Sequence, residues 1–185
     1  MIKSSDRSGW FGASDTAIIM GNWKTKTFAR WWAEKLGLIK NTYTSTAMIT
    51  GTMYEPRILD HLGIEKRDRQ IKLRSLRLRV NLDGEDLDAI VEVKTTGGEY
   101  RVSKAHWQQV QVQMYASGKK ARIVAYKLDP DDYKNYFNPI DPMRLASHEI
   151  EYDREWLESK FLPRLRYLSA CLKRGVFPSE CDITV

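Results

Sequence analysis

The sequence predicts an α/β (α+β) layer structure, on three observations. Apolar residues recur at helical spacing up to Gly63, alternate with period two from Ile71 to Lys94, and then mark helix, strand, strand and helix in turn. There is no internal repeat and no low-complexity segment, so all 185 residues are expected to form a single domain spanning residues 1–185.

The first helix is short, with Ser14 or Asp15 near its N-cap and Gly21 as its stop. A second, Thr27 to Leu36, sets Phe28, Trp31, Trp32 and Leu36 on one side, as core in preference to a base-stacking platform, and ends at Gly37. A third covers Ala47 to Leu62, where Pro56 predicts either a kink or a start near Tyr54. In Ile71 to Val80 the apolar residues alternate with Lys72, Arg74, Arg77 and Arg79, and a slip at Ser75 predicts a bulge or tight turn. Turn chemistry fills Leu82 to Asp88, and Ala89 to Thr95 is a β-branched strand closed by Gly97-Gly98. A helix over Ser103 to Ser117 stops at Gly118, and Ala121 to Leu128 is a strand. Asp129 to Pro142 is a loop and Ser147 to Tyr152 an edge strand. A long helix from Asp153 to Arg174 ends at Gly175, with a bend at Pro163.

Composition narrows the functional classes. No stretch approaches the roughly 20 apolar residues of a membrane span, and the N-terminus lacks the apolar core of a secretory signal, so a cytoplasmic protein without membrane association is expected. Two cysteines, Cys171 and Cys181, are too few for a disulfide framework or a four-cysteine zinc or iron–sulfur site. A formal charge of +6 is compatible with an acidic polymer as partner. His61, His106 and His148 fall outside any metal-ligand spacing.

Asp83 and the run Glu92-Val93-Lys94 carry the chemistry. Residues i and i+2 of a strand share a face, so Glu92 and Lys94 point together while Val91 and Val93 point into the core. A short hairpin through Gly84 to Asp88 returns the chain so that Asp83 approaches Glu92. Two carboxylates beside an ammonium suit Mg2+, which is held by one or two carboxylates plus water and substrate phosphate, and suit phosphodiester hydrolysis. The competing reading is an exposed hairpin with a surface Glu–Lys pair.

The order of motifs along most of the chain resembles the lambda-type exonuclease, or YqaJ-like viral recombinase, branch of the PD-(D/E)xK nuclease superfamily. The resemblance rests on Arg7 to Asp15 (RSGWFGASD) followed by Asn22 to Thr25, on Gly51 to Pro56 (GTMYEP), and on Asp83-Gly84. It continues through Val91 to Thr95 (VEVKT), eight residues after Asp83, and the glutamine-bearing stretch Gln108 to Tyr115; there Gln111 and Tyr115 also fit a variant of the motif. Leu82 departs from the serine or proline usual before the aspartate. Asp86 and Asp88 crowd the same turn, where Asp83 is preferred because Gly84 follows it.

The resemblance implies a PD-(D/E)xK, restriction-endonuclease-like core: a central mixed β-sheet flanked by the N-terminal helices and the Gln109 helix. It implies metal binding by Asp83, Glu92 and the carbonyl of Val93, with Glu55 at a second metal, Lys94 orienting the attacking water, and Gln109 supporting Lys94 or the phosphate. Arg7 and Ser14 fall where the family grips a 5′-phosphate. Plainer roles compete: Ser14 as an N-cap, Glu55 as a solvated helix residue, Gln109 as an ordinary amphipathic position, and Lys72, Arg74, Arg77 and Arg79 as a solvated face.

The implied activity is Mg2+-dependent (Mn2+ substituting) 5′→3′ exonucleolytic digestion of double-stranded DNA from a 5′-phosphorylated end, leaving 3′ overhangs for recombination. The implied setting is a phage or prophage protein in a bacterial host, acting as a ring-shaped homotrimer with a single-strand annealing protein. The rivals are a structure- or site-specific endonuclease on the same fold and a non-catalytic DNA-binding or inhibitor protein.

Overall fold

The structure, a computed structural model, describes residues 7–40 and 42–179. Its centre is a five-stranded mixed sheet in the order β1 (Lys66–Leu73), β2 (Leu78–Glu85), β3 (Ala89–Thr96), β4 (Lys120–Lys127) and β5 (Leu145–Ile150). Only the β3–β4 pair is parallel, and α4 (Lys104–Ser117) makes the crossover between them. The expected mixed sheet between helices is thus the observed one.

Side chains of adjacent residues on β3 and β4 sort to opposite faces. Ile90, Ala121 and Ile123 join one apolar cluster with Val110 and Val112 of α4 and the aromatic residues of α2 (Lys26–Lys35). Val91, Val93, Val124 and Tyr126 join another with Tyr54, Ile58 and Leu59 of α3 (Thr46–His61). The stripe of Phe28, Trp31 and Trp32 is core, as its spacing predicted.

Several boundaries differ from the sequence expectation, each for a local reason. The first helix opens as a 3-10 turn, Ala13–Asp15, ahead of α1 (Thr16–Ile19). Helix α3 starts at Thr46, capped by the Ser45 side chain on Met48 N–H at 3.2 Å, so no separate start near Tyr54 exists. Pro56 costs it the bond to Thr52, but Thr52 is exposed, and burial of Tyr54, Ile58 and Leu59 holds the helix together. Strand β1 begins at Lys66, five residues before the alternation starts, because Lys66 to Gln70 carries no apolar residue to report it. The slip at Ser75 is a 3-10 turn, Arg74–Leu76, closed by Arg77 at φ +48°.

β2 runs on through Asp83 to Glu85, leaving only residues 86–88 for the turn. The final helix consists of α5 (Arg154–Trp156), a π-helical stretch Leu157–Phe161, and α6 (Leu162–Arg174). Pro163 stands beside the π stretch, whose wider turn accommodates the missing N–H. Cys171 is a buried free thiol, and Cys181 lies outside the described residues. No helix among the described residues is long and apolar enough to cross a membrane.

Gly84 joins these parts. It is buried, and a Cβ there would stand 2.8 Å from both Leu59 Cδ2 and Ile64 Cγ2, so its lack of a side chain lets α3 lie close on the sheet. Gly84→Ala is expected to lower stability by about 1–2 kcal/mol through overpacking. Urea denaturation checks this: the midpoint falls with an unchanged slope, and a midpoint equal to wild type contradicts the packing role.

Candidate active site

Strands β2 and β3 are paired only at Gly84–Val91 and Glu85–Ile90. Beyond Gly84 they part, and the Asp83 carboxylate enters the opening, where its Oδ2 accepts the Val93 N–H at 2.9 Å. The side chain thereby replaces a ladder bond that the departing strand no longer supplies. Asp86, the competing acid of the turn, accepts the N–H groups of Asp88 and Ala89 and pairs with Arg122 at 2.9 Å. Its turn bonds and this pair account for its carboxylate.

Glu92 is 3% exposed and points toward α4, where every one of its partners is an N–H donor. Lys94 Nζ donates to Oε1 at 2.6 Å, Gln109 Nε2 donates to the same oxygen, and Gln113 Nε2 donates to Oε2. Lys94 Nζ also reaches Gln109 Oε1 at 3.4 Å. A buried carboxylate is tolerable only with such charge and hydrogen-bond compensation. The surface-pair reading of Glu92 and Lys94 is therefore excluded.

The sequence left open whether Gln109, Gln111 or Gln113 faces the site, and both Gln109 and Gln113 do. Four residues after Gln109, Gln113 lies on the same helical face, and that i, i+4 spacing was the available signal. Gln111 faces elsewhere: its amide donates to Glu151 O at 2.7 Å, and its Oε1 accepts Asp153 N–H at 2.8 Å. It ties α4 to the start of the last helix.

A cleft of about 430 Å3 opens on this network, lined by Arg7, Ser14, Glu55, Asp83 and Gln109 together with Asp68 and Arg79. Residues distant in sequence thus share one cavity. Ser14 is exposed, and it is the N-cap of neither first-turn element, those caps being Gly12 and Asp15. Asp15 is instead a structural anchor, accepting Gly12 N–H at 2.6 Å, Trp31 Nε1–H at 2.8 Å and the buried Lys35 ammonium at 2.6 Å. Asp68 was not anticipated from sequence. It occupies the β1 position across from Asp83, between the pairs Arg67–Gly84 and Arg69–Leu82, with φ +54°, a conformation few non-glycine residues adopt.

The electrostatics follow from crowding acids in a poorly solvated place. Burial pushes the Asp83 carboxyl well above its ordinary range, and the charges of Glu92 and Glu55 push it the same way against the Val93 N–H bond. Burial likewise raises Glu55, helped by Glu92 and Asp68. For Lys94, burial pulls downward, but the Glu92 charge and hydrogen bond together with Asp83 prevail and the ammonium is held above its usual value. The centre carries more negative charge than Lys94 alone offsets.

Glu55 and Asp83 on the cleft, and Glu92 just behind it, offer oxygen donors, the chemistry that a hard cation such as Mg2+ takes. Among the described residues no three His, Cys, Asp or Glu side chains form a metal-holding group by themselves. Mg2+ usually completes its shell with water and substrate phosphate, so this donor set fits it without a closed cage.

No protein-family model and no curated protein sequence matches the chain. Its fold does match solved structures. An alkaline exonuclease from Laribacter hongkongensis superposes with a TM-score of 0.62 at 21% identity, over 91% of this chain and 94% of that one. A phage-related exonuclease from Haemophilus somnus 129PT gives 0.62 at 12% identity, over 90% and 96%. The chain has the α/β fold of these nucleases, in agreement with the motif order along its sequence.

A carboxyl whose pKa is raised by folding costs stability as pH climbs from the unfolded value, about 4, through the folded one, because the native state then binds the extra proton. With chelator present, the wild-type Tm is therefore expected to fall, as pH rises above about 4, more than that of Asp83→Asn, whose amide still accepts from Val93. Near neutrality the variant is expected to be more stable by on the order of 1 kcal/mol, about 2–4 °C for a chain of this size. Parallel pH profiles for the two proteins contradict the buried-charge account.

Proposed function

We propose that this chain, with the fold of exonucleases, is a metal-dependent deoxyribonuclease that digests double-stranded DNA from a 5′-phosphorylated end in the 5′→3′ direction, leaving 3′ single-stranded overhangs. The observation that carries the reading is the cleft lined by Asp83, Gln109, Glu55, Arg7 and Ser14, with Glu92 and Lys94 bonded to Gln109 directly behind its wall. A site that is only structural has no use for a surplus of carboxylates turned toward an open cavity.

In this proposal Mg2+, for which Mn2+ substitutes, is held by Asp83, Glu92 and the Val93 carbonyl, with Glu55 serving a second ion. When bound, such an ion would lower the pKa of a coordinated water and offset charge on the phosphate. The protein's own groups do the rest. Gln109 and Gln113 fix the Glu92 carboxylate in one orientation, and Val93 N–H does the same for Asp83. Lys94, kept protonated by Glu92, orients the attacking water and balances phosphate charge. Arg7 and Ser14, both exposed on the cleft, take the terminal phosphate of the strand being resected, a guanidinium and a hydroxyl suiting a phosphate dianion.

The overhangs would serve recombination of the phage type in the cytoplasm of a bacterial host. The proposal extends, by analogy of fold alone, to a ring-shaped homotrimer working with a single-strand annealing protein.

The experiment is incubation with linear duplexes bearing or lacking 5′-phosphates, and with closed circular plasmid, in Mg2+ or chelator. Shortening of the 5′-phosphorylated strand in Mg2+ only is expected. Cleavage of the circle, or loss of the 3′-ended strand, contradicts the proposed mode. Glu92→Ala is expected to reduce the rate by on the order of 10²–10³-fold or more, and Arg7→Ala to erase the preference for 5′-phosphate. A Glu92→Ala rate close to wild type refutes the assignment of the site.

A further inference from the structure

Trp10 lines the cleft beside the carboxylates and also a second cavity of about 280 Å3, whose other lining residues are Lys72, Arg74, Arg77 and Lys173. Four cations surround one aromatic ring, and among the described residues none of the four has a carboxylate partner. Concentrating like charge this way is unfavourable unless an anion offsets it.

The cavity is built from elements fastened together. Lys72 Nζ stands 5.9 Å from the centroid of a Trp10 ring. Arg77, at the left-handed turn position of the β1–β2 hairpin, donates through Nη1 to Gly9 O at 3.1 Å, which fixes its guanidinium beside the same segment. Ser169 Oγ on α6 donates to Leu76 O at 2.6 Å, binding that helix to the hairpin turn. Lys173 follows one helical turn later on the same face and is thereby brought to the cavity.

We propose that this second cavity binds the single-stranded tail of the strand that is not cut. The inference rests on the function proposed above: with its terminal phosphate at Arg7 and Ser14, the resected strand ends in the first cleft, and a backbone continuing past Trp10 belongs to the complementary strand. A cationic groove around an aromatic ring is the composition that holds single strands, the cations taking phosphates and the ring a base, without sequence preference.

The strand geometry sets a length. Asp83, Asn81 and Arg79 succeed one another along one face of β2, and Lys72 is the cross-strand partner of Arg79. Two intervals of two residues span about 14 Å, on the order of four nucleotides at the rise of a DNA strand. A tail of two nucleotides is too short to engage the cavity, and a tail of about eight fills it.

The test is fluorescence anisotropy in chelator, with 5′-phosphorylated duplexes that are blunt or carry 3′ tails of about two or about eight nucleotides. Wild type is expected to bind the longer tail roughly tenfold more tightly than the blunt end. Arg74→Glu/Lys173→Glu, two exposed positions, loses that preference, and its salt slope on the tailed duplex shrinks by about 1.4, two strand phosphates' worth. The charge-matched control Lys134→Glu/Lys160→Glu, whose residues line neither cavity, keeps both. Equal wild-type affinity for blunt and tailed duplexes, or a tail preference surviving in Arg74→Glu/Lys173→Glu, overturns the inference even where hydrolysis is normal. Absence of Mg2+-dependent hydrolysis by wild type is read in a separate assay; it overturns the nuclease reading and, with it, the assignment of the strand.

Discussion

Where β2 and β3 part company decides the character of this molecule. Two strands that stayed paired to their ends would satisfy Val93 N–H with a backbone carbonyl and leave no room between them. Here the ladder stops after two pairs, and an aspartate side chain takes the donor instead. The same divergence admits Glu92, Lys94 and the α4 amides to one spot and opens the cleft onto it. Gly84, at the last paired position, permits both the close approach of α3 and the separation that begins beyond it.

Acids crowded in this way oppose folding. Asp83 and Glu55 are both driven toward their neutral forms by burial and by the charge of Glu92, against which Lys94, and for Asp83 also the Val93 N–H, work in the opposite direction. The fold tolerates that burden because the surrounding framework is rigid and apolar, from the stacked aromatics Phe11, Trp31 and Trp32 to the valines of β3 and β4. Ion pairs far from the cleft are of a different kind. Asp132 accepts hydrogen bonds from Tyr54, Asn138 and Arg144, is held down to about 2, anchors α3 to the loop after β4 and lines neither of the two cavities described. Strain from like charges at one place and full pairing at the other distinguish a working site from a structural one.

The legible part of this architecture was the part written in side-chain period. Alternation gave β2 and β3, helical spacing gave α2 and α4, and the parity of Glu92 and Lys94 put both on one face. The start of β1 was silent because Lys66 to Gln70 is polar on both sides, its pairing depending on β2 rather than on burial. The extension of β2 to Glu85 was hidden because Asp-Gly-Glu has the composition of a turn, and only the packing against Leu59 and Ile64 makes it strand. Asp68 escaped because only the pairing of β1 with β2 brings it to the cleft, and the choice among Gln109, Gln111 and Gln113 stayed open because it depends on where Glu92, remote in sequence, meets α4. Periodicity reports which face a residue occupies, never which distant residue will meet it there.

Diffraction from crystals soaked in Mn2+, recorded for anomalous signal, tests the central claim most directly. The account predicts an ion bridging Asp83 and Glu92, with the Val93 carbonyl among its ligands and the carboxylates drawn from their present amide partners toward it. An ion bound elsewhere, or none at saturating Mn2+ with Asp83 still bonded to Val93 N–H and Glu92 still enclosed by Gln109 and Gln113, would contradict it.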